Sequence, residues 1–306
     1  MATEQQMKSK NNITITLGIP TCYGGIGLLR TVKSILNSAK DYPKFEFLIF
    51  ADSVPFPDEL KNKLIELGVK LKENNGSESQ LAKIGQIISN ASGKILILTQ
   101  DDVRFGSKTV DEIVKKFQTN GEVGMVTVNI QPEPSESFME RVVLPGSNIS
   151  YLISQLWNKG DNYLAVNGRC LAFNIEDARK MRMPTKLVNS DAYIYFEMKR
   201  IQSKVVHASK AIVYNRNPQN IHDFLKQAGR FRISQLELVP YFNFDLCDFY
   251  RIPKSVSLRA FIQIFIKNPF YTFLYIFLLT FSRKKKTNFE ANSNVMWEAA
   301  TSTKSK

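Results

Sequence analysis

Two adjacent carboxylates, Asp101 and Asp102, follow the apolar run Lys94-Ile95-Leu96-Ile97-Leu98-Thr99-Gln100. A β-branched run of this kind reads as a strand buried on both faces. In open α/β sheets, ligands bind just beyond the carboxyl ends of strands. Acids placed there suit a hard divalent cation such as Mg2+, which takes one or two carboxylates and completes its shell with substrate phosphates. The competing reading is a pair of solvated acids at a strand-to-loop turn. A third acid, Asp52, ends the apolar run Glu46 to Asp52. Gly24, Gly25 and Gly27 form a GGxG segment, which lacks the GxGxxG phosphate-loop spacing and reads first as turn glycines.

The elements that must carry these residues alternate. Ile13 to Ile19 predicts a first strand that stops at Pro20-Thr21, and Leu28, Leu29, Val32, Ile35 and Leu36 follow at helical spacing. After the strand ending at Asp52, Pro57 opens a helix with Asp58 and Glu59 in its first turn and Gly68 past its end. Val69 to Lys72 predicts a third strand. A turn at Asn74-Asn75-Gly76-Ser77 leads to a helix from about Ser79 to Ala91, closed by Gly93. Beyond the Asp pair, Ser107 is the expected cap of a helix burying Val110, Ile113, Val114 and Phe117, and Val123 to Ile130 is another strand. This βα alternation predicts an α/β fold: a Rossmann-like, mostly parallel sheet with helices on both faces. After Gln131 the pattern becomes irregular. Helical and strand-like pieces follow up to Asn217, including Tyr163 to Phe173 and Lys204 to Tyr214, and Ile221 to Leu238 has helical periodicity.

With 306 residues, 43% hydrophobic and 23% charged, the chain has the composition of an ordinary globular protein, not a disordered one. The formal net charge of +13 implies anionic company. Its densest run, Arg283-Lys284-Lys285-Lys286, directly follows the aromatic stretch Ala260 to Ser282, which favours an anionic membrane surface over nucleic acid. As one piece that stretch is about long enough to span a bilayer. Lys267 and Pro269 break it, so an interfacial segment or two short helices are equally open. No zinc knuckle or RNP-like signature supports a nucleic-acid partner. Cys22, Cys170 and Cys247 are odd in number and unpaired in spacing, as expected of reduced packing residues. Met1 to Asn12 lacks the apolar core of a signal peptide, so the main body is expected in the cytoplasm.

From Ile13 to Phe231 the ordered set of features resembles a family-2 glycosyltransferase with a GT-A fold. Pro20-Thr21 is similar to that family's nucleotide-contacting turn, and Asp52-Ser53 to the Asp that reads the base. Gln80-Leu81-Ala82-Lys83-Ile84-Gly85 with Ala91-Ser92-Gly93 resembles the A-R-N…A-x-G segment, Lys83 falling where a basic residue sits. Gln100-Asp101-Asp102 looks like the DxD motif with its first acid changed to Gln. Asp102 is then the metal ligand and Gln100 faces the ribose, while the register Thr99-Gln100-Asp101 would hand the metal to Asp101. Asn189-Ser190-Asp191 resembles the E-D-x-x-L segment whose Asp is the catalytic base, with Ser190 in place of the preceding acid. Gln227-Ala228-Gly229-Arg230-Phe231 resembles the Q-x-x-R-W motif of membrane-associated members, with Phe for Trp.

The resemblance implies transfer of a sugar from a nucleotide-diphosphate sugar to an acceptor hydroxyl, with inversion. Asp191 would act as base, Mg2+ or Mn2+ would sit at Asp102, and Arg230 would contact the donor phosphates. The acceptor would be a glycan or lipid-linked precursor at the cytoplasmic face of the membrane. The implied organisation is a flexible N-terminus (1–12), a nucleotide-sugar-binding half (13–131), an acceptor-binding catalytic half (132–257), a membrane-associated segment (258–286) and a polar tail (287–306). Since both acidic motifs have one acid replaced, a catalytically degenerate nucleotide-sugar binder is an alternative. A nucleotidyltransferase, which also sets strand-end acids beside phosphates, is another.

Overall fold

The computed structural model describes residues 14–22, 26–52, 54–74, 78–119, 121–185, 187 and 189–284, apart from the side chains at 26, 228–236 and 283–284. The expectations placed on Ile13, Gly24, Gly25, Ser53, Asn75-Gly76-Ser77, the side chains of Arg230 and Phe231, the basic run and the tail lie outside the described residues.

The first half is built as alternation requires: β1 (Ile15–Thr21), α1 (Ile26–Ala39), β2 (Phe45–Ala51), α2 (Asp58–Glu66), β3 (Val69–Glu73), α3 (Gln80–Asn90) and β4 (Ile95–Thr99). Then come β5 (Val103–Phe105), α4 (Thr109–Thr119), β6 (Val123–Pro132), α5 (Phe138–Leu156), β7 (Cys170–Asn174), α6 (Ile175–Arg179), α7 (Ser190–Arg200), β8 (Lys204–Asn215) and α8 (Ile221–Leu238). The chain continues through α9 (Cys247–Tyr250) into two consecutive helices, α10 (Lys254–Lys267) and α11 (Pro269–Lys284). Strands from both parts of the chain make one 8-stranded sheet in the order β3-β2-β1-β4-β7-β6-β8-β5.

The sheet is mixed, which corrects the expectation of a mostly parallel one. The β1–β2, β1–β4, β2–β3 and β6–β8 pairs are parallel, whereas β7 runs antiparallel to both β4 and β6 and β5 antiparallel to β8. Short antiparallel strands carry no periodicity of their own, so alternation alone could not reveal them. Alternate residues face opposite sides: Ile15, Leu17, Ile19, Ile95 and Ile97 pack with α1, α2 and α4, while Leu48, Phe50, Leu96 and Leu98 pack with α3, α6 and α7.

Three local readings shift. Pro20 and Thr21 lie inside β1, not after it. β1 pairs with β4 only as far as Gly18, and residues 15 and 21 direct their hydrogen bonds to β2. Pro20 therefore turns its missing N–H to a side where no partner remains, the one place a strand tolerates it. The run through Asp102 is broken: β4 stops at Thr99, and β5 is a separate strand on the far edge of the sheet. The helix after Ser107 begins at Thr109.

Among the described residues no helix is long and apolar enough to cross a membrane. The apolar C-terminal stretch is divided at Asn268-Pro269, as the Pro predicted. One face of each half is buried, through Ala260 and Ile264 on α10 and Thr272, Leu278 and Ser282 on α11. α11 rests on α5 at Gly146, where the Tyr275 ring occupies the space a Cβ would fill.

The candidate active site

At the carboxyl end of β4, residues 100–102 make the turn into β5. Thr31 on α1, itself buried, holds that turn. Its hydroxyl donates to Val103 O (2.6 Å), has Asp101 O at 3.1 Å, and accepts the Val103 N–H (3.2 Å). The Asp101 carboxylate is buried and accepts a hydrogen bond from the Thr21 hydroxyl at the end of β1. Asp102 is partly buried, with its Oδ1 shielded from solvent. Register places Asn215, at the end of β8, directly across from Val103, bringing the Asn215–Asn217 corner beside the Asp pair. Nothing in the sequence pattern marks Thr31 or this corner, because both depend on pairings across the sheet.

At the end of β2, Asp52 is 2% exposed and Lys83 1% exposed. The Lys83 ammonium donates to Asp52 Oδ1 (2.7 Å) and lies 2.9 Å from the Cys22 sulfur, while the Glu78 N–H donates to Asp52 Oδ2 (2.5 Å). α3 can bring Lys83 this close because it lies on β1 at Gly18, where a Cβ would come within 2.5 Å of Ile87. Burial by itself raises the Asp52 pKa; the Lys83 ammonium and the Glu78 N–H outweigh it and hold the carboxyl below the usual range. Burial raises the Cys22 thiol, with Lys83 opposing, so Cys22 stays a thiol beside the pair. All three cysteines are free. Cys247 is exposed and is not the packing residue expected of it.

Asp191 occupies the first turn of α7, where the helix dipole favours an anion. It does not cap that helix: Asn189 does, accepting from the Ala192 N–H (3.2 Å). The Asp191 carboxylate is left for the Gly168 N–H and for Ser190 Oγ, which is 3.3 Å away and equally far from Gln80 at the start of α3. Burial raises the Asp191 pKa, opposed by the Gly168 N–H, the Arg169 guanidinium and the Ser190 hydroxyl.

Gly168 is where the parts meet. A Cβ there would lie 2.6 Å from Asp191 Oδ1 and 3.2 Å from Gln100 Nε2. Arg169, next in the chain, is pinned by its carbonyl, which accepts from Thr99 Oγ1 (2.5 Å). Gln100, on the β4 turn, and Asp191, on α7, therefore converge on one backbone position. Sequence reasoning missed Gly168 and Arg169, since a glycine between Asn167 and Arg169 reads as an ordinary turn. Gly168→Ala should lower turnover about ten- to a hundredfold by displacing Asp191. Steady-state kinetics alongside an unchanged thermal melt would check it; wild-type kinetics would refute it.

α7 is held from its other end by Glu197, whose side chain is fully buried. It accepts from Arg182 Nε (2.9 Å), Nη2 (2.6 Å) and backbone N (2.7 Å), and from Arg200 Nε (2.9 Å) and Nη2 (2.8 Å). Glu197→Gln keeps the shape but loses the charge. It should destabilise by about 1–3 kcal/mol in urea titration; no shift in midpoint would show the clamp is immaterial.

Of the residues singled out in the sequence, the structure joins Thr21 to Asp101, Asp52 to Lys83, and Gln100 to Asp191 through Gly168. Pro20 precedes Thr21 within β1. Gln227 is partly buried on α8. No group of three metal-ligating side chains occurs among the described residues. A cation here would rest on one or two carboxylates at the 100–102 turn with ligand oxygens completing its shell, which the partly buried Asp102 fits.

The family model described as glycosyl transferase family 2 matches residues 16–175, more than half of the chain. No curated protein matches it. Among solved structures it is similar to the mannosyltransferase PcManGT from Pyrobaculum calidifontis in complex with GDP-Man and Mn2+. Identity is 14%, with 92% of this chain and 82% of that chain covered and a TM-score of 0.56. It is also similar to glucosyl-3-phosphoglycerate synthase from Mycobacterium tuberculosis in complex with phosphoglyceric acid, at 13% identity, 83% and 86% coverage and a TM-score of 0.53. The same synthase with Mn2+, uridine-diphosphate and phosphoglyceric acid gives 12% identity, 76% and 80% coverage and a TM-score of 0.52. At these identities the likeness is one of fold.

Proposed function

Because this chain belongs to glycosyl transferase family 2 and is a glycosyltransferase, we propose that it transfers a sugar from a nucleotide-diphosphate sugar to an acceptor hydroxyl in one inverting displacement. The observation that carries this reading is the convergence at Gly168, which sets the Asp191 carboxylate against the β4 turn bearing Gln100, Asp101 and Asp102. An acid on one helix thus lies beside the Gln100 amide of that turn, at a backbone position that carries no side chain.

In this reading the acceptor hydroxyl gives its proton to Asp191 as its oxygen bonds the anomeric carbon. The anomeric C–O bond to the diphosphate breaks, and its electron pair stays on the departing phosphate oxygen. A Mg2+ or Mn2+ ion held by Asp102 would supply charge neutralisation for that diphosphate. In this reading Asp101 is engaged by the Thr21 hydroxyl, which favours Asp102 over Asp101 as the ligand. The Asp52–Lys83 pair would meet the nucleotide base, Gln100 would face the ribose, and Arg230, whose side chain lies outside the described residues, would contact the phosphates. The acceptor is a glycan precursor carried on a lipid and met at the cytoplasmic face of the membrane. Support for that comes from the aromatic, acid-free C-terminal helices and the basic run that follows them.

The test is a donor screen. Purified protein with Mn2+ is offered UDP-, GDP- and dTDP-sugars with membrane lipid extract, and nucleoside diphosphate release is followed. Release from one donor, lost with chelator and reduced at least about a hundredfold in Asp102→Asn, is the expected result. Metal-dependent binding without release from any donor would instead favour the degenerate binder. Release of pyrophosphate from a nucleoside triphosphate would sink the transferase assignment of the acids.

A further inference from the structure

The α10–α11 pair presents an apolar face that nothing among the described residues covers. On α10, Leu258, Ile262 and Ile266 follow each other at four-residue spacing, and on α11 Phe270, Phe273 and Phe277 keep a three-then-four spacing, so each set forms one stripe along its helix. These stripes lie away from the residues that pack against the domain. Ile266 is 74%, Phe273 68% and Phe277 70% exposed, whereas Ala260 and Thr272 are wholly buried. Exposed apolar surface of this extent marks an interaction site.

Charge identifies the occupant. From Phe249 to Phe289 the sequence contains no Asp or Glu, yet α10 carries Lys254, Arg259 and Lys267, all exposed, and α11 leads into Arg283-Lys284-Lys285-Lys286. A second copy of this chain docked symmetrically would set two cationic, acid-free faces against each other. An anionic lipid surface supplies what both features lack, acyl chains for the aromatic stripe and headgroup charge for the cations. Among the described residues neither helix is long enough to cross. α11 has 16 residues, about 24 Å of helix against about 30 Å of hydrocarbon.

We infer that α10 and α11 form a monotopic anchor, lying in the plane of an anionic leaflet with the Leu258–Ile266 and Phe270–Phe277 stripes immersed. This deepens the membrane part of the proposed function. Because α11 packs on α5 at Gly146, the anchor is continuous with the domain and does not hang from a linker, so the catalytic domain is held at a set height over the bilayer.

The experiment is vesicle flotation of the full chain, with nucleoside diphosphate release assayed on the same preparation. The protein should float with vesicles of equal parts phosphatidylcholine and phosphatidylglycerol and stay behind with phosphatidylcholine alone. Replacing Phe270, Phe273 and Phe277 together by Ser should lower the bound fraction about tenfold or more, with circular dichroism and nucleoside diphosphate release from soluble donor unchanged. Absence of flotation by an enzyme that still releases nucleoside diphosphate overturns the anchor and leaves the transferase reading standing. A concentration-dependent dimer that the triple substitution dissolves overturns it as well, since the face would then seat a second copy. Flotation unchanged in the triple variant overturns the assigned face. Flotation retained by a protein inert toward every donor supports the anchor and counts against the transferase chemistry instead.

Discussion

Asp191→Asn should lower sugar transfer by about two to four orders of magnitude while donor affinity stays close to that of the wild type. Asn keeps the size of the side chain and an oxygen that can accept from the Gly168 N–H, so the loop at Gly168 stays in place. What disappears is the capacity to take a proton. The acceptor hydroxyl is a poor nucleophile and needs that base as it attacks. The same assignment has a pH signature. Burial lifts the Asp191 pKa above the ordinary carboxylate range, with the Gly168 N–H, Arg169 and Ser190 opposing. A base works only when ionised, so kcat/KM should be full above this raised pKa and fall as pH drops through it. The acid limb therefore lies higher than that of an exposed Asp. Arg169→Gln should move that limb further up by removing one opposing charge. Initial rates over a pH series on wild type, D191N and R169Q would decide; near wild-type transfer by D191N would remove Asp191 from the chemistry.

Lys83→Met should destabilise the fold by about 3–5 kcal/mol, the usual consequence of leaving a buried charge without its partner, and should weaken donor binding as well. Lys83 and Asp52 are both almost wholly buried, and the ammonium is the principal force keeping Asp52 ionised. Met fills the same volume without charge, so burial then dominates and the Asp52 pKa rises. The sign of the pH dependence follows. In the wild type Asp52 is depressed, so its contribution is present above the unfolded pKa and is lost as pH falls through the folded one. In the variant the shift reverses, and acidification relieves the defect. The stability gap between the two proteins should be widest near neutrality and narrow on acidification. Adding Asp52→Asn to Lys83→Met should recover part of the loss, because the stranded charge is gone. Urea titrations of the single and double variants across pH test this. A gap that does not vary with pH would show that packing, not charge, accounts for the loss.

The first half of the fold was legible because each element carries its own periodicity. Leu81, Ile84, Ile87 and Ile88 bury one face of α3, and Ile95 to Thr99 is buried throughout. Asp52, Lys83 and the Asp pair stood out for a related reason: polar residues that interrupt or terminate apolar runs are visible locally. The Pro269 break was readable as well, since proline stops a helix through its own covalent structure.

Long-range pairing was not legible. β7 enters between β4 and β6 from some seventy residues further along the chain, and its antiparallel sense turns a mostly parallel sheet into a mixed one. That insertion carries Gly168 and Arg169 to Gln100 and Asp191, so the meeting point of the site belongs to no single segment. Thr21 could not be matched to Asp101 in advance, nor Glu197 to Arg182, because hydrogen bonds between distant residues leave no spacing to read. By itself the sequence determined which residues could carry charge, where the apolar runs of the first half lie and that the C-terminal stretch is apolar, since these follow from local composition and backbone chemistry. Only the tertiary structure decided which acid the Thr21 hydroxyl holds, what lies against Asp191, and which stripes of α10 and α11 remain uncovered among the described residues. Those outcomes depend on the register of distant strands and on how helices pack against them.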